Sequence, residues 1–131
     1  NVYGTEQIRN VVLLGHGALV RQQFGGNGFD HRCYQAYGQD ADGNTISDYD
    51  KEEIKRQFSI STTLIPLEYQ GENGPVKVNL LDTPGFFDFV GEVEEAISVA
   101  DAAIIVVNCK AGIEPGTERA WEMCEKYNLP R

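Results

Sequence analysis

Val78-Asn79-Leu80-Leu81-Asp82-Thr83-Pro84-Gly85 is an apolar run that ends in a carboxylate and a Pro-Gly turn. The run reads as a buried strand, which puts Asp82 at its carboxyl end, where open α/β sheets bind their ligands. A carboxylate there can hold Mg²⁺ through water, and Gly85, having no Cβ, leaves its backbone N–H free to approach a terminal phosphate. The plainer reading is a strand followed by an ordinary turn. A matching strand upstream and a helix downstream favour a nucleotide-sensing turn.

Working outward, Val11-Val12-Leu13-Leu14 is a second continuous apolar run, closed by Gly15-His16-Gly17, as a central parallel strand feeding a tight loop would be. Asp42-Gly43-Asn44-Thr45 is a turn, and Asp48 to Arg56 is a charged segment. Phe58 to Tyr69 reads as a strand that Pro66 confines to a sheet edge or a bulge. Gln70 to Pro75, rich in Gly, Asn and Pro, turns the chain back into Val76–Leu81 as a hairpin. Val93, Ala96, Ile97 and Ala100 recur at i, i+3, i+4 and i+7 and mark a helix with one buried face. Ala102 to Val107 is expected to be fully buried. Glu114 to Tyr127 is expected to be a helix with Ala120, Trp121, Cys124 and Tyr127 facing inward. This alternation predicts an α/β fold with a mainly parallel sheet covered on both faces. Val11–Leu14, Val78–Leu81 and Ile104–Val107 should be neighbouring parallel strands, with Gly15 and Asp82 emerging at the same edge.

The chain has 131 residues and a formal charge of −9, with a pI near 4.6. It is one domain at most, and the absence of an initial Met and of a closing element after Pro130-Arg131 reads as a fragment. That charge argues against sequence-specific nucleic-acid binding, because neutralising phosphates needs clustered Lys and Arg. Cys33, Cys109 and Cys124 are odd in number and too far apart for a metal knuckle, which suits reduced thiols acting as small buried hydrophobes. No stretch approaches the roughly 20 apolar residues of a membrane span, so a soluble, cytoplasmic protein is expected.

Ile8-Arg9-Asn10, Asp82-Thr83-Pro84-Gly85-Phe86-Phe87-Asp88-Phe89, Glu92-Val93-Glu94 and Lys126-Tyr127-Asn128-Leu129-Pro130-Arg131 together resemble the start of translational elongation factor G. Gly43-Asn44-Thr45-Ile46-Ser47-Asp48-Tyr49-Asp50 looks like the elongation factor G-like branch of that family. The resemblance covers residues 1–17 and 42–131. It implies a three-layer phosphate-loop GTPase fold, incomplete at the C-terminus, that binds GTP with Mg²⁺ and acts on the ribosome. Carried across by position, Gly15, His16 and Gly17 open the phosphate loop, while Asp82 and Gly85 carry the second switch. Ser59 falls where the first switch of the family places a Mg²⁺-coordinating Thr, although it equally suits a polar position on a strand.

Several positions depart from that pattern. A phosphate loop reads G-x-x-x-x-G-K-[ST], yet counting from Gly15 gives Val20, Arg21 and Gln22 at the last three places. Val20 carries a Cβ where backbone must meet phosphate, Arg21 is a planar fork in place of a compact ammonium, and Gln22 lacks the Mg²⁺-binding hydroxyl. Phe86 stands where the family has the His that orients the attacking water, and Arg56-Gln57-Phe58 replaces Arg-Gly-Ile. The Asn-Lys-x-Asp element that reads guanine would fall just past Arg131.

Ala18 to Ala41 has no helical or strand period. Its sequence can be explained as a shifted reading frame. Leu19-Val20-Arg21-Gln22-Gln23 can be encoded as CTG GTA AGA CAA CAR, and regrouping from a preceding G gives Ala-Gly-Lys-Thr-Thr, the lost loop. A second regrouping across Gly25 to Tyr37 yields Val-Glu-Met-Ala-Leu-Thr-Thr-Gly-Val-Ile, a helix-forming sequence with a glycine stop. Losses of single bases near Ala18, Phe24 and Ala41 would suffice; a naturally diverged insertion is the other explanation. The segment is then expected to be irregular, leaving one face of the sheet partly uncovered. Two other functional classes stay open: a non-catalytic pseudo-GTPase that survives as an interaction module, and, less favoured, an ATP-using enzyme.

Overall fold

The computed structural model describes residues 7–15, 47, 49–56, 58–71, 74–85, 87–107 and 111–131. Strand β1 (Gln7–Gly15) is followed by a short helix α1 (Lys51–Arg56), the hairpin strands β2 (Thr63–Gly71) and β3 (Gly74–Asp82), and a 3₁₀ turn at Phe87–Phe89. Helix α2 (Val90–Val99), strand β4 (Ala102–Val106) and helix α3 (Pro115–Lys126) complete the order. The strands form one sheet in the order β2-β3-β1-β4, with β3, β1 and β4 parallel and β2 antiparallel to β3. The three apolar runs are therefore neighbours, as expected. Leu13 lies in register with Asp82 on one side and Ile104 on the other, so Asp82 and Gly15 end at the same edge.

One face of the sheet carries the core. Val12 and Leu14 of β1, Leu81 of β3 and Ala103 of β4 meet Ala96 and Ile97 of α2, Ala120, Met123 and Cys124 of α3, and Leu129. On the opposite face Leu13 and Ile65 are buried, Val11, Leu67, Val78 and Leu80 are half-buried, and Ile104 is exposed. The connection from β3 through α2 to β4 passes β1, and Asn10 fastens it there. Its backbone N–H donates to Asp101 Oδ2 at 2.7 Å, its Nδ2 donates to the Val99 carbonyl at 3.1 Å, and its Oδ1 accepts from Asn79 Nδ2 at 3.0 Å.

Local rules account for the element ends. Asp50 Oδ1 accepts the Glu52 N–H at 2.8 Å and starts α1 as an N-cap. Pro115 at the first position suits the start of α3, where an N–H has no helical partner anyway. That helix ends with Asn128 at φ 51°, the Asn128 N–H on the Glu125 carbonyl at 3.0 Å and the Leu129 N–H on the Cys124 carbonyl at 2.8 Å. This is a Schellman ending, and it turns Leu129 into the core.

Three expectations need correction. Residues 58–62 are not strand: the N–H groups of Ile60 and Ser61 go to the Glu53 carboxylate and that of Thr62 to the Glu92 carboxylate, so the ladder begins only at Thr63. Among the described strands Pro66 does sit on an edge strand, the place in a sheet that tolerates a residue with no N–H. The run after Ala102 is not fully buried: among the described residues β4 pairs with a strand only on its β1 side, and Ile104 stays 37% exposed. Trp121 and Tyr127 do not face inward; they are 51% and 40% exposed. The buried stripe of α3 is Ala120, Met123 and Cys124 at i, i+3 and i+4, and at 100° per residue Trp121 falls off its flank. There its Nε1 donates to Glu125 Oε1 at 3.1 Å, and the Arg131 guanidinium lies 3.9 Å from its ring centre. His16, Gly17, the segment 18–41, the turn at 42–45 and Phe86 lie outside the described residues.

Candidate functional site

The carboxyl edge of the sheet is where β1 and β3 diverge. The chain leaves β3 to run to β4 on the far side of β1, so the ends of β1 and β3 flank a topological switch point, the usual ligand crevice of open α/β sheets. Asp82 is the last residue of β3 and only 5% exposed, held between Thr63 of β2 and Leu13 of β1. The next residue fixes the turn. Thr83, fully buried, donates its Oγ1 hydrogen to the Leu13 carbonyl at 2.6 Å, pinning the Pro84-Gly85 turn against the end of β1 two residues before Gly15. Pro84 is buried and Gly85 half-buried. Behind them lies a small apolar cleft walled by Leu14, Val90, Val93, Ala120 and Met123, with Arg119 at its side.

Ser59 is buried on the segment that enters the sheet beside Asp82, four residues before Thr63. Glu53 Oε1 accepts the N–H groups of Ile60 at 2.9 Å and Ser61 at 3.1 Å, and Glu92 Oε2 accepts that of Thr62 at 2.8 Å. Thr63 Oγ1 donates to the Ser47 carbonyl at 2.8 Å. Among the described residues, the Ser47 hydroxyl is buried without a hydrogen-bond partner.

The structure thus gathers Gly15, Asp82 and Gly85 at one edge and brings the segment of Ser59 in beside them. Thr83 and Glu92 enter the sequence reading only as members of quoted motifs, and Glu53 only within the charged segment; none of the three carries a role there. Thr83 lies inside the motif itself, but its hydroxyl partner is 70 residues away. Glu53 sits in a charge-rich stretch that reads as a solvated face, yet it is only 4% exposed. The oxygen donors fit Mg²⁺, which takes one or two protein ligands and leaves the rest of its shell to phosphate and water. The described residues contain no cluster of three or more His, Cys, Asp or Glu that could hold a metal ion. Val20, Arg21 and Gln22 lie outside the described residues, so their departure from the phosphate-loop pattern rests on sequence.

A mainly parallel sheet with a buried Asp and a pinned Pro-Gly turn at its switch point defines the phosphate-loop GTPase class of α/β domain. Within that class the chain belongs to the family of the elongation factor Tu GTP binding domain, which matches residues 28–131. The match begins beyond Gln22, so it does not depend on the altered loop. The chain is 37% identical to an elongation factor G-like protein of Mycobacterium tuberculosis, over 98% of this chain and 18% of that protein. It is 32% identical to elongation factor G of Carsonella ruddii, over 96% of this chain and 19% of that protein. A crystal structure of a Thermus thermophilus protein superimposes with a TM-score of 0.74 at 35% identity, covering 95% of this chain and 18% of that one. A bacterial selenocysteine-specific elongation factor shares the fold, with a TM-score of 0.68 at 21% identity over 94% of this chain and 18% of its own. The chain spans under one-fifth of the length of these relatives. None of the described helices is long and apolar enough to cross a membrane.

Proposed function

We propose that this chain is the first part of the GTP-binding domain of an elongation factor G-like translation factor, whose intact form couples GTP hydrolysis to elongation on the ribosome in the cytoplasm. The observation that carries the reading is the shared edge of Asp82, Gly85 and Gly15, fixed by the Thr83 bond to β1. In that role Asp82 and Ser59 supply oxygens to Mg²⁺, Gly85 meets the terminal phosphate, and Gly15, His16 and Gly17 open the cradle. Arg21 keeps a positive charge but as a planar fork in place of the compact ammonium, Val20 and Gln22 remove the bare glycine backbone and the hydroxyl, and Phe86 offers no hydrogen bond to an attacking water. These same substitutions favour a second reading, a non-catalytic module that keeps the fold as an interaction surface.

Calorimetric titration with Mg²⁺-GTP separates the two. The chain as it stands should bind weakly or not at all, and a frame-repaired, full-length version carrying Gly-Lys-Thr should bind with micromolar or better affinity. That affinity corresponds to about 8 kcal/mol, for which the unrepaired loop has no evident source. Failure of the repaired protein to bind would leave the non-catalytic module as the better account.

A further inference from the structure

We propose that Glu53 and Glu92 are positioning residues that act in series, Glu53 folding the Ser59 segment back onto α1 and Glu92 fastening that folded segment to the helix following the Asp82 turn, so that the two sensing segments move as one unit. The functional meaning of the clamp rests on the reading of Ser59 and Asp82 given above; the clamp itself is a matter of geometry. Three successive backbone N–H groups, those of Ile60, Ser61 and Thr62, point away from any strand. Two of them end on Glu53 Oε1 and the third on Glu92 Oε2, at 2.9, 3.1 and 2.8 Å. Thr62 also donates its Oγ1 hydrogen to the Glu92 backbone carbonyl at 3.2 Å, so this residue is held twice by the first turn of α2. The rings of Phe58 and Phe89 lie 6.5 Å apart, adding an apolar contact between the same segment and the start of the same helix.

Each carboxylate has a physical reason to be there. Burying a charge is costly unless hydrogen bonds replace its water, and Glu53 receives two short bonds plus a longer one at 3.4 Å from the Asp50 N–H. Bonds to an ionised acceptor are about twice as strong as neutral ones. Glu92 lies in the first turn of α2, where the helix dipole favours a negative charge. Since α2 begins directly after the 3₁₀ turn behind Asp82-Thr83-Pro84-Gly85, a displacement of residues 58–62 must either carry the start of α2 with it or break the two Thr62–Glu92 bonds, while Glu53 keeps the segment folded on α1. Neither Glu need touch a ligand for this.

Amide hydrogen exchange in the full chain, without nucleotide, tests the clamp. Glu53→Ala should speed exchange at Ile60 and Ser61 by about tenfold or more relative to the core amides of β1 and β3. Exchange at Thr62 should rise with them, although its own acceptor is intact. Glu92→Ala should act reciprocally, releasing Ile60 and Ser61 as well as Thr62. Glu53→Gln keeps a carbonyl oxygen for both N–H groups and should restore most of the protection, which a variant that simply misfolds would not show. An equal rise at every amide would mean general destabilisation, and a rise confined to each carboxylate's own partners would mean two independent bonds. Either result overturns the proposal. The measurement involves no GTP, so its failure is distinguishable from failure of the nucleotide titration.

Discussion

Thr83 holds the turn that matters most. Its Oγ1 bond to the Leu13 carbonyl is short, buried and long-range in sequence, so Thr83→Val should remove a buried hydrogen bond and cost about 1 kcal/mol, read from the urea midpoint at unchanged slope. Ser47 provides the opposite case. Its hydroxyl is buried with no partner among the described residues, while its backbone carbonyl accepts from Thr63; Ser47→Ala should therefore leave stability unchanged or raise it, and a loss above about 1 kcal/mol would reveal a partner for that hydroxyl. Cys124 is fully buried, and burial pushes its thiol above the ordinary value, with the Arg131 guanidinium pulling weakly the other way. The folded state then binds the thiol proton more tightly than the unfolded state. Its contribution to stability is complete below the unfolded thiol's value and falls as pH rises from there through the folded value. Cys124 should accordingly resist thiol reagents at neutral pH until the chain is unfolded, and Cys124→Ala should flatten the alkaline decline in stability.

The β2–β3 hairpin closes on Gly71 opposite Gly74, and Gly74 sits at φ 117°, a conformation L side chains rarely adopt. Among the described residues no atom beyond its chain neighbours lies within 4 Å of where a Cβ would stand, so the penalty of Gly74→Ala is chiefly one of backbone strain. It should destabilise by about 1–3 kcal/mol, whereas the same change at Gly91, which has neither positive φ nor close neighbours and lies in α2, should be neutral or stabilising. Equal thermal shifts for the two variants would show that the hairpin relaxes around its turn. The entry to β2 obeys a different rule from its interior: before Thr63 the backbone donors are satisfied by two carboxylates, after it by β3.

In the assembled sheet, the central position of β1 joins the pieces of the site. It carries Gly15, receives the Thr83 bond, pairs with β3 on one side and β4 on the other, and is tied to the crossover by Asn10. This framework supports a separation of binding from catalysis. In a frame-repaired, full-length protein the restored Lys and Thr should recover GTP and Mg²⁺ binding, because they contact ground-state phosphates. Hydrolysis depends on orienting a water, for which Phe86 has no donor or acceptor. Phe86→His should therefore speed turnover measured with ribosomes while leaving GTP affinity nearly unchanged. If the Phe86 protein already turns over as fast as its His variant, the backbone or another group positions the water. The nucleotide sequence across codons 15–43 should show the shifted frame; an uninterrupted frame matching diverged relatives would exclude it.

The strands, their parallel order and the edge that carries Asp82 were readable in the chain, because continuous apolar runs can be satisfied only by burial and sequential crossovers place their carboxyl ends together. Pro66 marked an edge strand for an equally local reason: it has no N–H to give a ladder. Other features were not readable. The segment 58–62 looks like strand by composition, and Glu53 like a solvated charge, until partners 7 to 30 residues away are brought to them. Trp121 and Tyr127 look like core residues of α3, but the core lies 100° per residue around toward Met123, and the direction of that face was set by where β1 and β4 lie. A sequence states which groups must leave water or find a partner; which partner each one finds depends on contacts between residues far apart in the chain, and no local pattern encodes those.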